Sequence, residues 1–261
     1  MNILRIAGAS LNQTPFDWEG NKARIIGTIH AAAQEHTNVL CLPELAITGY
    51  GCEDMFLAPH VARRALAALK EILPHTQAML CTLGLPYIFE GRVYNCIAVV
   101  QNGRVLGINA KKSLPREGVH YEPRWFSPWT PDTVRQTHVD GVAVPFGDMS
   151  YQCGNARIAI EICEEAWGRS GGATRHAEHG AHIVLNSSAS HFALGKYRTR
   201  ERLVTNASRS MRVHYVYANL VGNEAGRIIY DGGTLIAERG HIIQRGPRFG
   251  FRDFYVTHAD V

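Results

Sequence analysis

The chain has 261 residues, 46% of them hydrophobic and 19% charged, with a formal net charge of +4. That balance supplies core material for an ordinary globular protein, and its charges are too scattered for a nucleic-acid arm or a membrane-seeking tail. No run approaches the ~18 apolar residues of a membrane span, and the opening MNILRIAGAS is too soon polar for a secretory signal. A cytoplasmic protein with no membrane or nucleic-acid partner is expected. Cys41, Cys52, Cys81, Cys96, Cys153 and Cys163 lie mostly in or beside apolar strand-like runs, and no pair is spaced C-x-x-C. They read as reduced thiols, with no metal site expected.

In chain order, residues 2–11 read as a strand closing on the turn Asn12-Gln13-Thr14-Pro15. Asp17 and Asn21 offer caps to a helix over residues 22–36, with Ile25, Ile26, Ile29 and Ala33 on one face. A short strand over residues 39–42 stops at Pro43. After a loop rich in glycine and acid, residues 48–54, a helix over residues 61–73 ends at Pro74. Strands are expected over residues 78–83, 94–101 and 105–110, the last two joined by the hairpin dipeptide Asn102-Gly103. Residues 115–131 form an aromatic, proline-punctuated loop with Trp125 and Trp129, long enough to suspect function.

The run RIAIEICEEAW, residues 157–167, starts as a buried strand and breaks at Cys163 into a turn. A helix near residues 174–179, a strand over 182–185, a basic helix over 197–211 and a strand over 215–220 follow. A hairpin of residues 234–237 and 241–244 turns at Arg239-Gly240. Without repeats or linkers, one domain over residues 1–261 is expected. Strands alternating with helices, plus inserted hairpins, suggest sheets covered by helices in layers.

Three stretches place a reactive side chain just past a strand: Glu44 in CLPELAITGYGCEDMF, Lys111 and Lys112 in NAKKSLP, and Cys163 in EICEEAW. Singly, these read as a helix cap, a solvated pair and a small buried hydrophobe. Together, a thiol, a carboxylate and an ammonium make a kit for acyl transfer through a covalent intermediate. The carboxylate can take the thiol proton, and the ammonium and the backbone N–H of Glu164 can hold the oxyanion. Neighbours on a strand point to opposite faces, which separates Lys111 from Lys112. None of the thirteen histidines forms a recognisable motif with Cys163, so a Cys–His pair is not indicated.

PEL-x-x-x-GY around Glu44, K-x-x-LP around Lys111 and EICEEAW around Cys163 resemble the Glu-Lys-Cys signature of the nitrilase (carbon–nitrogen hydrolase) superfamily. The resemblance implies that family's α/β fold, a four-layer αββα sandwich, over nearly the whole chain. More narrowly, LNQTPFDWEGN, ELAITGYGCEDMF, YEPRWF, NSSASHFALGK and NLVGNEAGRIIYDGGT resemble the glutaminase domain of glutamine-dependent NAD synthetases. In that family the glutaminase splits L-glutamine to glutamate and ammonia. A synthetase domain then uses the ammonia with ATP to amidate nicotinic acid adenine dinucleotide.

The resemblance implies Glu44 as general base, Lys111 as electrostatic stabiliser and Cys163 as nucleophile. It matches Glu122 to a second acidic position near the catalytic group, the other reading being an ion pair with Arg124 or Arg116. Ser190 and Lys196 fall where the subgroup holds the ends of glutamine. Lys196 would face the carboxylate and Glu164 the ammonium. Glu117 stands where many synthetases have tyrosine, and it could also face the ammonium.

The glutaminase reaction needs no cofactor; ATP and Mg²⁺ would belong to the synthetase. Of the phosphate loop S-G-G-x-D-S, only the beginning of Ser170-Gly171-Gly172-Ala173-Thr174-Arg175 is reminiscent, and it reads as a glycine turn. The chain is thus expected to be the glutaminase part of a longer protein or a stand-alone relative. A partner that receives ammonia and a homo-oligomeric assembly are implied by the resemblance.

Overall fold

Strands buried on both faces must be apolar almost throughout. β1 (Arg5–Leu11), β2 (Val39–Cys41), β9 (Ala156–Ile162), β10 (Ile183–Ser188) and β11 (His214–Asn223) meet that demand, each being buried along nearly its whole length. The structure, a computed structural model, describes residues 3–167, 176–224 and 226–261. Its other strands are β3 (Leu80–Phe89), β4 (Arg92–Gln101), β5 (Arg104–Ala110), β6 (Val134–Val139), β7 (Val142–Gly147) and β8 (Ser150–Cys153). β12 (Ile229–Asp231), β13 (Leu235–Glu238), β14 (His241–Arg245) and β15 (Phe254–Asp260) close the chain.

One continuous sheet runs β6-β7-β5-β4-β3-β2-β1-β11-β10-β9-β8, with β12, β13 and β15 pairing alongside β11 and β1 and β14 alongside β13. The pairs β2–β1, β1–β11, β11–β10 and β10–β9 are parallel. The sheet folds so that its two halves face each other. Ile6, Val39, Cys41, Leu80, Ile97 and Val99 meet Ile158, Ile160, Ile162, Ile183 and Leu185 in a shared core. Each such buried aliphatic side chain contributes roughly 1.5–3 kcal/mol.

Helices cover the outer faces. α1 (Trp18–Gln34) and α2 (Pro59–Ile72) pack Ile25, Ile29, Ala65 and Leu69 against the outward residues of the β1–β5 half. α3 (Lys196–Met211) packs Val204 and Met211 against Ala159, Val184, Tyr215 and Tyr217 of the other half. The result is the four-layer αββα sandwich.

Asp17 does cap α1, accepting the Gly20 amide at 3.1 Å, but the helix begins at Trp18, earlier than the apolar spacing suggests. β3 runs on through Gly84 and Pro86 to a hairpin at Glu90-Gly91 that the sequence reading missed. Glu90-Gly91, Asn102-Gly103, Asp140-Gly141 and Arg239-Gly240 all have positive φ at both residues, the twist-matched turn of two-residue hairpins. β6, β7 and β8 were also missed. All three are short; β6 and β8 are largely polar and exposed, and Pro145 interrupts the apolar stretch of β7. β12 and β15 take their extended shape from pairing with β11 and β1. The glycine turn of residues 170–175 and the first part of the helix expected near 174–179 lie outside the described residues.

Candidate active site

Parallel strands deliver their C-terminal ends to one place, where α/β folds keep their chemistry. β2 ends three residues before Glu44, β9 ends next to Cys163, and β10 ends beside Ala189 and Ser190. β5 brings Lys111 to the same end. The Glu44 loop is clamped from both sides: the Leu42 amide donates to Thr82 Oγ1 at 2.8 Å and the Glu44 amide to the Ser188 carbonyl at 3.4 Å. The loop lies so close over β3 that a Cβ on Gly84 would fall 2.3 Å from the Leu45 nitrogen. Only glycine fits there.

Behind Cys163 sits a nest of paired charges with no solvent exposure. Lys111 Nζ donates to Glu44 Oε1 at 2.5 Å and to Glu122 Oε1 at 2.7 Å. Asn95 Nδ2 donates to Glu44 Oε1 at 2.7 Å and reaches Glu122 Oε2 at 3.4 Å, and the Ala189 amide donates to Glu44 Oε2 at 3.1 Å. Tyr50 Oη donates to Glu122 Oε1 at 2.7 Å. Arg124 pairs with Asp54 instead, at 2.5 and 2.7 Å, so the ion pair of Glu122 is with Lys111.

Two carboxylates sharing one ammonium leave a net negative charge in a dry site, which is costly. Burial pushes the Glu44 carboxyl up to about 7, and the Glu122 charge adds to this while Lys111 opposes it. Burial pulls Lys111 down, but Glu122 and Glu44 outweigh that and hold its ammonium above the usual lysine range.

Cys163 occupies the turn between β9 and a short 3₁₀ segment (Cys163–Ala166), with a left-handed φ of 46°. Burial pushes its thiol up to about 12; the Glu44 charge adds to this, and Lys111 and the Ala189 backbone oppose it. The resting sulfur is therefore a thiol that needs a proton acceptor. Lys112 turns away from Lys111, as strand alternation requires, and pairs with Asp148 and Glu165, both at 3.0 Å.

Cys163 opens on a cavity of about 470 Å³, within the range of small-molecule sites. Arg116, Glu117, Glu164 and Lys196 are in its lining, and none of them makes an ion pair among the described residues. Burial, followed by the Arg200 charge, lowers Lys196; its Nζ lies 5.7 Å over the Trp167 ring and 3.1 Å from His191 Nδ1. Burial raises the half-buried Glu164, with Lys111 opposing it. The Ser190 hydroxyl accepts from Arg200 Nε at 3.2 Å. Arg200 is itself held by Asp231 at 2.7 Å.

Sequence reasoning overlooked several groups. His120 and His191 line the cavity in mutual contact at 3.0 Å. Burial and then neighbouring positive charge lower them to about 3 and about 4, so they are poor proton acceptors beside Glu44. Asn95 hides within an apolar strand. Tyr50 had a signal in the GY of its motif. Glu224 lay inside the stretch NLVGNEAGRIIYDGGT but was given no role: its carboxylate, pushed by burial up to about 7, accepts the Tyr50 and Gly51 amides at 2.7 Å each.

A double sheet between helices, with a strand-end thiol beside a buried Glu–Lys pair, defines a carbon–nitrogen hydrolase. Residues 5–250 match the carbon-nitrogen hydrolase family, and the chain belongs to it. It is 34% identical over 267 residues to a putative glutamine-dependent NAD(+) synthetase of Schizosaccharomyces pombe, covering 98% of this chain and 38% of that protein. The crystal structure of a glutamine-dependent NAD(+) synthetase from Cytophaga hutchinsonii superposes with a TM-score of 0.94 at 46% identity, over 100% of this chain and 43% of that one. The chain thus spans less than half the length of these relatives. An amidase of the nitrilase superfamily from Nesterenkonia AN1 has a TM-score of 0.81 at 18% identity, covering 99% of this chain and 90% of that one, a likeness of fold alone.

Proposed function

We propose that this chain hydrolyses L-glutamine to glutamate and ammonia through a thioester on Cys163. The ammonia passes to a synthetase domain or subunit that uses it in NAD synthesis. The observation that carries the substrate reading is the cavity lining, where Lys196 and Arg116 stand with Glu164 and Glu117, none of them in an ion pair among the described residues. A zwitterion satisfies both signs at once, and a neutral amide satisfies neither. The similarity to glutamine-dependent NAD(+) synthetases supports the same reading.

In the reaction, Glu44 takes the Cys163 proton as the sulfur attacks the ω-amide carbon. The oxyanion that forms is held by the Lys111 ammonium and the Glu164 backbone N–H; removing one such donor typically costs on the order of 10²–10³ in rate. Glu44 returns the proton to the amide nitrogen, the C–N bond breaks and ammonia leaves. A water then gives its proton to Glu44 and attacks the thioester, releasing glutamate and restoring the thiol.

Ammonia release measured across a panel of carboxamides tests the proposal. L-Glutamine should be turned over, with neutral aliphatic amides poor. Butyramide turned over as well as glutamine would replace this substrate with a small ω-amide acted on by a stand-alone amidase. No ammonia from any amide, together with no adduct on Cys163 from a glutamine-mimicking electrophile, would mean a silent scaffold.

A further inference from the structure

The conformation of Cys163 needs an external support. A non-glycine residue at φ 46° is strained, and such strain persists only where surrounding groups over-determine it. The supports are visible. Glu165, two residues along the same turn, folds its carboxylate back so that Oε2 accepts the Ile162 amide at 3.1 Å. Its Oε1 accepts the Lys112 amide at 2.6 Å. Lys112 Nζ lies 3.0 Å from Glu165 Oε2 and 3.0 Å from Asp148 Oδ1, and all three side chains are nearly fully buried. Asp148 Oδ2 in turn accepts the Asp132 amide at 3.0 Å.

We infer that Lys112 and Glu165 are a positioning pair that holds the Cys163 turn in its left-handed conformation and so aims the sulfur and the Glu164 amide at the substrate carbonyl. The two adjacent lysines then divide the work. Lys111 touches the reacting groups, and Lys112 touches none of them but ties the strand end that carries Lys111 to the turn that carries the nucleophile. Glu165 spans the joint, because it binds the amide before Cys163 and the amide after Lys111. Relaxing that joint would let the sulfur and the oxyanion donor swing together, and displacements of about 1 Å at reacting groups can cost on the order of 10² in rate.

The inference rests on Cys163 as nucleophile but not on glutamine as substrate, and the test keeps the two apart. In E165Q and K112M, the rate of Cys163 alkylation by iodoacetamide, read by peptide mass, should fall about 10–100-fold. With the amide that wild type turns over, kcat should fall in parallel while KM stays within about threefold. Cooperative unfolding and an unchanged circular dichroism spectrum identify folded variants. A purely structural role would lower the melting temperature and leave both rates within twofold of wild type in the folded protein, which would overturn the inference. Should K112M fail to fold, E165Q decides by the same criterion. Slowed alkylation in variants of a protein that hydrolyses no amide would uphold the positioning pair and sink the glutaminase reading instead.

Discussion

At the inner end of the site, behind Cys163, Glu44 and Glu122 are sealed from solvent and both bonded to Lys111. At the outer end, Arg116, Glu117, Glu164 and Lys196 line the cavity on which Cys163 opens, with no ion pair among the described residues. The difference separates two jobs. Paired, dry charges keep a fixed geometry and shift each other's proton affinity, which suits bond-breaking. Charges at a cavity wall with no ion pair of their own gain one when a ligand supplies it, which suits recognition. Substitutions at the inner end should strike kcat, and those at the outer end KM.

The largest effect is expected from Cys163→Ala, which should abolish ammonia release while unfolding remains cooperative, since little volume is lost. Glu44→Gln should cost on the order of 10²–10⁴ in kcat at every pH, the usual share of a general base; near wild-type turnover would remove Glu44 from that role. Lys111→Met should cost about 10²–10³ in kcat and also destabilise the protein, because it leaves two buried carboxylates without their cation. Lys196→Met should raise KM for glutamine about 10–100-fold, the worth of one charged hydrogen bond, while sparing the alkylation of Cys163 by neutral iodoacetamide. Equal losses with both reagents would erase the division between the two ends.

Two smaller effects follow from buried carboxyls. Glu44 accepts a proton only when ionised, so kcat/KM should rise with pH through about 7 and lose that limb in Glu44→Gln. Glu161 lies on the outer face of β9, bonded to Tyr215 and Asn186, and burial pushes it up to about 7. Its affinity for the proton is higher folded than unfolded. Its contribution to stability is therefore full below about pH 4.5 and lost as pH rises through about 7. Glu161→Gln should flatten the fall in melting temperature between pH 5.5 and 8; an unchanged slope would show that Glu161 is not its source.

Much of this was readable because local rules place local things. Apolar strands ending at Leu42, Ala110 and Ile162 marked where Glu44, Lys111 and Cys163 would emerge, and the two-residue period of a strand sent Lys111 and Lys112 to different partners. The hairpin turns at Asn102-Gly103 and Arg239-Gly240 declared themselves as well. The β6–β8 region did not: β6 and β8 are edge strands with exposed faces, and Pro145 interrupts β7 between β6 and β5.

The order of the strands' reactive tips, the apolar layers and the kind of chemistry were determined by the amino-acid sequence itself, through hydrophobic periodicity acting over a handful of neighbours. Which groups stand behind those tips was decided only when the sheet folded upon itself. Asn95 reaches Glu44 across 51 positions, Glu165 reaches Lys112 across 53, and Glu224 reaches Gly51 across 173. Such meetings are set by packing between distant strands, and no pattern within a single stretch of chain encodes them.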